Sequence, residues 1–300
     1  MNNIVKYTAA VDIGTSKTTA IIAGKDSEGN IKILGHETVN SEGVKRGVIV
    51  NIEESAQTIK KAIDNAIIKS GISISAVFAG ISGQHIKSTV NRGSKYIESP
   101  DFEITQKDVD DLYTSMLKLP VDDGEEIIHA IPQSYIIDNE PGVRKPVGIT
   151  GKRLEADFNI VTCKTATSKN IEKCINRIGL KVIDLILTPL ATAEATLTED
   201  EKEAGVVLVD IGGGTTDVAV YYDGILKHTA IIPFGGSVIT RDIKEGCSIL
   251  NRQAEQLKLQ FGSALGDLSE DNKVVSIPGI SGRKPKEISF KNLAFIIQSR

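Results

Sequence analysis

The 300-residue chain has no tryptophan, and aromatic residues make up only 4% of it, so it offers no platform on which bases could stack. Nor does it contain a basic run. Its 35 lysines and arginines against 39 aspartates and glutamates leave a formal net charge of -4, the wrong sign for an electrostatic footprint on a phosphate backbone. Nucleic acid is therefore not expected as a partner. Cysteine is scarce: Cys163, Cys174 and Cys247 are odd in number, widely spaced and set in apolar or helical sequence. That excludes a disulfide framework or a zinc site and makes them small core residues from a reducing compartment. His36, His85, His129 and His228 stand apart from one another and from the cysteines, so no histidine metal cluster is expected. Met1 to Tyr7 lacks the basic start and apolar core of a secretory leader, and no run approaches the roughly 18 apolar residues of a membrane span. What remains, 40% hydrophobic and 25% charged, is the composition of an ordinary globular protein of about two domains.

Against this plain background the pattern Val-Asp-Ile-Gly occurs twice, at Val11 to Gly14 and at Val209 to Gly212. Each copy follows an apolar strand-like run and precedes a second one. The copies align as Asp12-Ile13-Gly14-Thr15-Ser16-Lys17-Thr18 and Asp210-Ile211-Gly212-Gly213-Gly214-Thr215-Thr216. A small-residue turn between two strands can aim successive backbone N–H groups into one concavity, which favours anionic oxygens without a cationic side chain. An aspartate at the end of the incoming strand would lie beside bound phosphates, where Mg²⁺ borrows one or two carboxylates and keeps several waters. Asp12 and Asp210 are the candidates. A single Asp-x-Gly after a strand is most often just a hairpin, but two copies with matched flanks favour the phosphate reading. Ser16-Lys17-Thr18 imitates a P-loop, yet the glycine four residues before the Lys-Thr pair is missing and Thr18 to Ala23 has strand character.

Apolar runs at Tyr7 to Val11, Thr18 to Ala23 and Ile31 to Glu37 predict a three-strand meander. Asn51 is placed to cap a helix carrying Ile52, Ala56, Ile59, Ile63, Ala66 and Ile67 on one face up to Ser70-Gly71, and Ala76 to Ile81 predicts a buried strand. The texture then changes: a strand at His85 to Asn91, a polar helix from about Thr105 to Lys118, proline-punctuated strands around Ile127 to Ile137 and a strand at Leu154 to Val161 suggest a small α+β unit. Ser168 is expected to cap a helix ended by Gly179, and Val182 to Leu187 returns as strand before Pro189 opens an alanine-rich connecting helix. A second meander, Val206 to Asp210, Thr216 to Tyr222 and Ile225 to Pro233, repeats the first, implying two like lobes facing a cleft. Gly235-Gly236 precede a helix at Ser237 to Glu245, and Gln253 to Gln260 predicts another. On that helix Glu255 and Lys258 share a face, by themselves an ion pair worth about 0.2–0.5 kcal/mol.

The doubled turn, the connecting helix and Ala254-Glu255-Gln256-Leu257-Lys258 together resemble the actin, heat-shock chaperone and sugar kinase superfamily of two-lobed ATP-binding proteins. Gly43-Val44-Lys45-Arg46-Gly47-Val48-Ile49-Val50-Asn51-Ile52, Gly80-Ile81-Ser82-Gly83-Gln84-His85-Ile86, Gly148-Ile149-Thr150-Gly151-Lys152-Arg153-Leu154-Glu155 and Thr198-Glu199-Asp200-Glu201 through Gly205 more closely resemble the FtsA family of bacterial cell-division actin homologues. The resemblance implies an α/β, actin-like two-lobed ATPase fold with ribonuclease H-like lobes and an inserted α+β subdomain in the first lobe. By that similarity residues 1–83 and 164–197 form the first-lobe core, 84–163 the insertion, 198–245 the second-lobe core and 246–300 an incomplete outer subdomain.

The resemblance also implies ATP and Mg²⁺ as cofactors. It places Gly14, Thr15, Ser16, Lys17, Gly212, Gly213, Gly214, Thr215 and Thr216 at the phosphates, Gly235 and Gly236 near the nucleotide, and Glu255 and Lys258 at ribose and adenine, with Asp12 and Asp210 positioning metal and water. Implied partners are FtsZ, further copies in a head-to-tail filament, other division proteins, and the cytoplasmic face of the membrane at the division site. The family's membrane contact is a C-terminal amphipathic helix that this sequence does not contain. With the chain ending at Arg300, inside the expected second lobe, a truncated and soluble cytoplasmic form is expected. Thr188 stands where related filament proteins carry a glutamate before the proline of the connecting helix, so at most weak ATPase activity is expected; Glu194, on the same helix, reads as a solvated position. The alternative, a sugar kinase-like phosphotransferase with Asp210 as base, would need sugar-contacting polar residues that the sequence does not identify. A chaperone ATPase would need a peptide-binding β-domain, and none is recognisable.

Overall fold

The structure, a computed structural model, describes residues 4–268, 273–279 and 284–300. Met1 to Asn3, on which part of the leader argument rests, lie outside the described residues, as do positions 269–272 and 280–283 of the expected outer subdomain. The chain divides into two compact units, 1–233 and 234–300.

The first unit begins with β1 (Ile4–Ile13), β2 (Lys17–Asp26) and β3 (Ile31–Asn40), the expected meander with each strand longer than its apolar run. A small hairpin of β4 (Val44–Lys45) and β5 (Val48–Ile49) leads into α1 (Ile52–Ser70) and β6 (Ala76–Ile81). Then come β7 (Lys87–Tyr96), α2 (Gln106–Met116), β8 (Glu125–Ile137), β9 (Glu140–Val143) and β10 (Arg153–Lys164). Helix α3 (Thr165–Arg177), β11 (Lys181–Leu187), α4 (Thr188–Thr196) and α5 (Glu199–Ala204) lead to the second meander, β12 (Val206–Ile211), β13 (Thr216–Tyr222) and β14 (Ile225–Ile232). Besides the β4-β5 hairpin, the described strands of this unit form sheets ordered β11-β6-β1-β2-β3, β7-β10-β8-β9 and β12-β13-β14. In the first, β6 runs parallel to both β1 and β11, while β1, β2 and β3 are antiparallel.

Helix α1 forms where its caps say it should. Asn51 Oδ1 accepts the N–H groups of Glu53 at 3.0 Å and Glu54 at 3.3 Å, a cap that contributes about 1 kcal/mol. At the other end Gly71 adopts φ 69° and donates its N–H to Ile67 O, a left-handed closure that carries no Cβ penalty in glycine. Between the caps Ala56, Ile59, Ala62, Ile63 and Ala66 share a buried core with Ala9, Val11 and Ile13 of β1 and Ala20 and Ile22 of β2, each isoleucine contributing about 1.5–3 kcal/mol. Because strand side chains alternate, anchoring Val11 and Ile13 beneath the helices turns Asp12 to the opposite face. That alternation delivers the aspartate to the site.

The segment from β7 to β10 has a core of its own, with Leu112 and Met116 of α2 packed among Ile104, Leu154 and Phe158. Thr105 caps α2 in a reciprocal box with Asp108. One expectation is corrected here. Ser168 does not cap α3: the helix starts at Thr165 directly off β10, its N-cap Lys164 makes no side-chain cap bond, and Ser168 lies a turn inside, donating to Thr165 O at 2.9 Å. The strand ran straight into the helix, so no capping side chain was needed to redirect it. Cys163, Cys174 and Cys247 are all buried and free. Burial pushes the Cys163 thiol up to about 12 and Cys174 to about 11, which suits inert core residues.

His85 is buried, and neither ring nitrogen has a hydrogen-bond partner among the described residues. Burial first, and then the Lys164 ammonium, bring its pKa down to about 4. The unfolded chain takes up this proton near pH 6.5 and the folded one only near 4, so stability is complete above pH 6.5 and falls as pH drops through that window. We expect His85→Leu to flatten the pH dependence of the melting temperature between 6.5 and 4 while leaving it unchanged or raised at pH 7. An unaltered slope would show that another group governs acid sensitivity.

The second unit contains α6 (Gly236–Cys247), α7 (Asn251–Phe261), the antiparallel pair β15 (Val274–Ile277) and β16 (Lys286–Ser289), and α8 (Phe290–Gln298). Ile243, Cys247, Ala254, Leu257, Ile288 and Leu293 form its core.

Candidate functional site

The two repeated turns are the same hairpin bond for bond. Asp12 pairs with Thr19 and Ile13 with Thr18, and Gly14 N donates to Lys17 O at 3.0 Å. In the second copy Asp210 pairs with Asp217 and Ile211 with Thr216, and Gly212 N donates to Thr215 O at 2.9 Å. The first glycine of each turn therefore spends its N–H on closing the hairpin. The residues that follow, Thr15 and Ser16 in one and Gly213 and Gly214 in the other, stand beyond the strand ladder at the tips.

The tips lean against each other. A Cβ on Gly213 would stand 2.7 Å from Ser16 Oγ, and one on Gly214 would stand 2.5 Å from Thr15 Oγ1, closer than real side chains approach. Between the hairpins lies a cavity of about 150 Å³, walled by both turns, by Asp12, Asp210 and Asp217, and by Lys17, Ser82 and Thr188. Asp12 is open to solvent on its outer side but hemmed by protein elsewhere; that desolvation, then the charge of Asp210, raises its pKa. Asp217 is 4% exposed. Burial pushes its pKa up to about 6, Asp210 and Asp12 add to the rise, and hydrogen bonds from Ser82 and Thr215 oppose it. Thr192 Oγ1 donates to Asp210 Oδ2 at 3.2 Å.

Three carboxylates thus crowd one cavity, with Lys17 the cation on its wall; at Asp12 and Asp217 burial first raises the pKa, and repulsion by like charge adds to it. A divalent cation would relieve that repulsion. Among the described residues no three or more His, Cys, Asp or Glu side chains are grouped to hold a metal ion unaided. That donor set suits Mg²⁺, which takes one or two carboxylates and fills its shell with phosphate oxygens and water.

The remaining predicted residues lie in the second unit and meet one another there. Lys258 Nζ bonds to Gly236 O at 3.1 Å and Thr240 Oγ1 at 2.9 Å and pairs with Glu255 Oε2 at 2.8 Å. Thr240 also donates to Glu255. Gly235 is the N-cap of α6. The pair is thus built into the joint between α6 and α7 rather than lying loose on a surface. Thr188 Oγ1 donates to Ile81 O at 3.2 Å, and Glu194 is held by Lys202 Nζ at 2.8 Å.

Asp217, Ser82, Thr192 and Gly47 join the site without having been singled out as ligands from the sequence. For Asp217 a signal existed: in Thr216–Tyr222 it occupies the inward phase shared by Ala219 and Tyr221, where a carboxylate needs a reason. Ser82 meets Asp217 across 135 positions, and no local pattern foretells that.

Two like meanders, each presenting an aspartate and a tight turn to a common cavity, with an α+β insertion between them, define the actin-like ATPase fold. Solved structures agree in fold. The PilM-PilN type IV pilus biogenesis complex superposes with a TM-score of 0.63 at 14% identity, over 85% of this chain and 69% of that one. MreB5 of Spiroplasma citri bound to ADP does so with 0.52 at 13%, over 98% and 75%. Within this class the sequence is more specific. Residues 207–294 match the family described as cell division protein FtsA, and 83–162 match the SHS2 domain inserted in FtsA. The cell division protein FtsA of Pseudomonas aeruginosa is 40% identical over 98% of this chain and 70% of its own length. That of Escherichia coli K12 is 37% identical over 98% and 70%, and that of Bacillus subtilis 33% over 100% and 68%. The chain belongs to the FtsA family of cell division proteins, and its role lies in division alongside other division proteins. Among the described residues no helix is long and apolar enough to cross a membrane.

Proposed function

We propose that this protein binds ATP with Mg²⁺ between its two hairpins, polymerises head to tail, and links FtsZ filaments to the cytoplasmic face of the membrane at the division site, where it recruits later division proteins. The observation that carries the nucleotide reading is the meeting of two distant tips at one cavity crowded by three carboxylates. In this reading the N–H groups at the tips and Lys17 hold the phosphates, Thr215 and Thr216 border them, and Asp12 and Asp210 hold the metal. Gly235, Gly236, Glu255 and Lys258 serve the nucleoside end. Bound Mg²⁺ would offset the charge of phosphates and carboxylates together.

The same proposal takes 1–83 with 164–197 and 198–245 as the two lobe cores, 84–163 as the insertion and 246–300 as the outer part of the second lobe. Thr188, with its hydroxyl proton given to Ile81 O, is a poor base, so hydrolysis is expected to be slow beside binding. A head-to-tail contact uses different patches on the two copies and so propagates into a filament. FtsZ and the membrane enter through family membership alone.

Calorimetric titration with ATP tests the reading. We expect one saturable site whose affinity rises about tenfold or more when Mg²⁺ is supplied, as a cation shared with phosphate requires, and ATP-dependent co-sedimentation with FtsZ polymers. No heat of binding with or without Mg²⁺ would end the nucleotide assignment, and pelleting indifferent to FtsZ would end the partner assignment.

A further inference from the structure

Ser82 has no role in the proposal above, yet the structure places it against the cavity. Ser82 Oγ stands 2.9 Å from both carboxylate oxygens of Asp217. Its backbone is equally engaged: a Cβ on Gly47 would come within 2.7 Å of Ser82 O, and Gly47 N donates to Thr15 Oγ1 at 3.0 Å. These contacts close a belt around the cavity, from the first tip through Gly47 and Ser82 to Asp217. From Asp217 it crosses to its strand partner Asp210, and Gly213 and Gly214 return to the first tip. Ser82 is the member of this belt from which the insertion departs. The family match to the inserted domain starts at residue 83, Ile86 N donates to Gly83 O at 3.1 Å to close a turn, and β7 begins at Lys87.

A carboxylate on the wall of a phosphate site repels a terminal phosphate unless a donor or a cation controls its position. Ser82 supplies a donor and Thr215 a second. We propose that Ser82 positions Asp217 according to what fills the cavity, and so makes the root of the inserted sheet respond to the terminal phosphate of a nucleoside triphosphate. This rests on the nucleotide reading above. Ser82 acts through Asp217 and through its own backbone, and is a positioning residue rather than a catalytic one. Interactions of this kind transmit state because packed contacts have few arrangements, not a continuum.

The test compares ADP and ATP, each with Mg²⁺, on the full chain and on Ser82→Ala, Ser82→Thr and Asp217→Asn, with affinity and backbone amide exchange as readouts. In the unaltered protein ATP, but not ADP, should slow exchange across residues 83–96. Ser82→Ala should weaken ATP binding about tenfold more than it weakens ADP binding, the scale of a lost hydrogen bond to a charged group, and should lose the ATP-specific protection. Ser82→Thr keeps the hydroxyl and should restore both. Should the alanine variant fail to fold, Asp217→Asn decides: it still accepts from Ser82 but lacks the charge, and should bind ATP and ADP alike with equal exchange across residues 83–96. Equal weakening of ADP and ATP by Ser82→Ala, or identical exchange with either nucleotide in the unaltered chain, would overturn the proposal. An unaltered chain that binds neither nucleotide would refute the underlying nucleotide reading instead.

Discussion

Asp210→Ala is expected to lower ATP affinity in the presence of Mg²⁺ by about a hundredfold, the scale of an ion pair broken in a partly buried site, while changing Mg²⁺-free binding little. Asp210 is flanked by Asp12 and Asp217, both of whose pKa values it helps to raise. Removing it therefore has two opposite consequences. The site loses one of the two carboxylates proposed to hold the metal, but the remaining two are relieved of a like charge and ionise more readily. The unliganded variant should consequently melt no lower than the parent, and only the stabilisation conferred by Mg²⁺ and ATP should disappear. That pairing distinguishes a lost ligand from a damaged fold. Unchanged affinity by calorimetry with Mg²⁺ present would remove the metal role assigned to Asp210.

Gly214→Val should have the larger structural effect. Its Cβ would fall 2.5 Å from Thr15 Oγ1 and 2.7 Å from Thr15 Cγ2. Thr15 cannot simply swing aside, because β-branched side chains are restricted at χ1 and its hydroxyl accepts Gly47 N–H at 3.0 Å. The tips must separate. We expect loss of detectable ATP binding together with about 1–3 kcal/mol of destabilisation in urea unfolding, the usual cost of overpacking. Thr15→Gly in the same chain empties the contested space and should recover most of the stability. A double variant no more stable than Gly214→Val alone would show that the two tips do not press on each other as described.

The parts of this protein that follow local rules were legible before any coordinates. Asn51 and Gly71 bracket α1 because capping is a property of a few neighbouring residues, and Ala76–Ile81 is a strand with the predicted limits. Both turns were legible because the chain states them twice. What escaped was long-range or compensatory. Ser168 looked like a cap by composition, but continuity from β10 made it an interior residue. The β15 and β16 pair and α8 went unread, their strands being only Val274–Ile277 and Lys286–Ser289, too short for alternation to declare a period. Asp217 closes the second phosphate turn, and its inward phase in β13 was visible. Its meaning depends on Ser82, which reaches it only once β6 and β13 are folded.

The bond-for-bond likeness of the two hairpins has a consequence for the pocket they share. Each supplies part of one receptacle, so neither turn alone can complete it. The two turns differ at matched positions: Lys17 of the first is answered by Thr215 of the second, and Thr19 by Asp217. One half carries a cation and the other a further acid, an asymmetry that gives the pocket a front and a back.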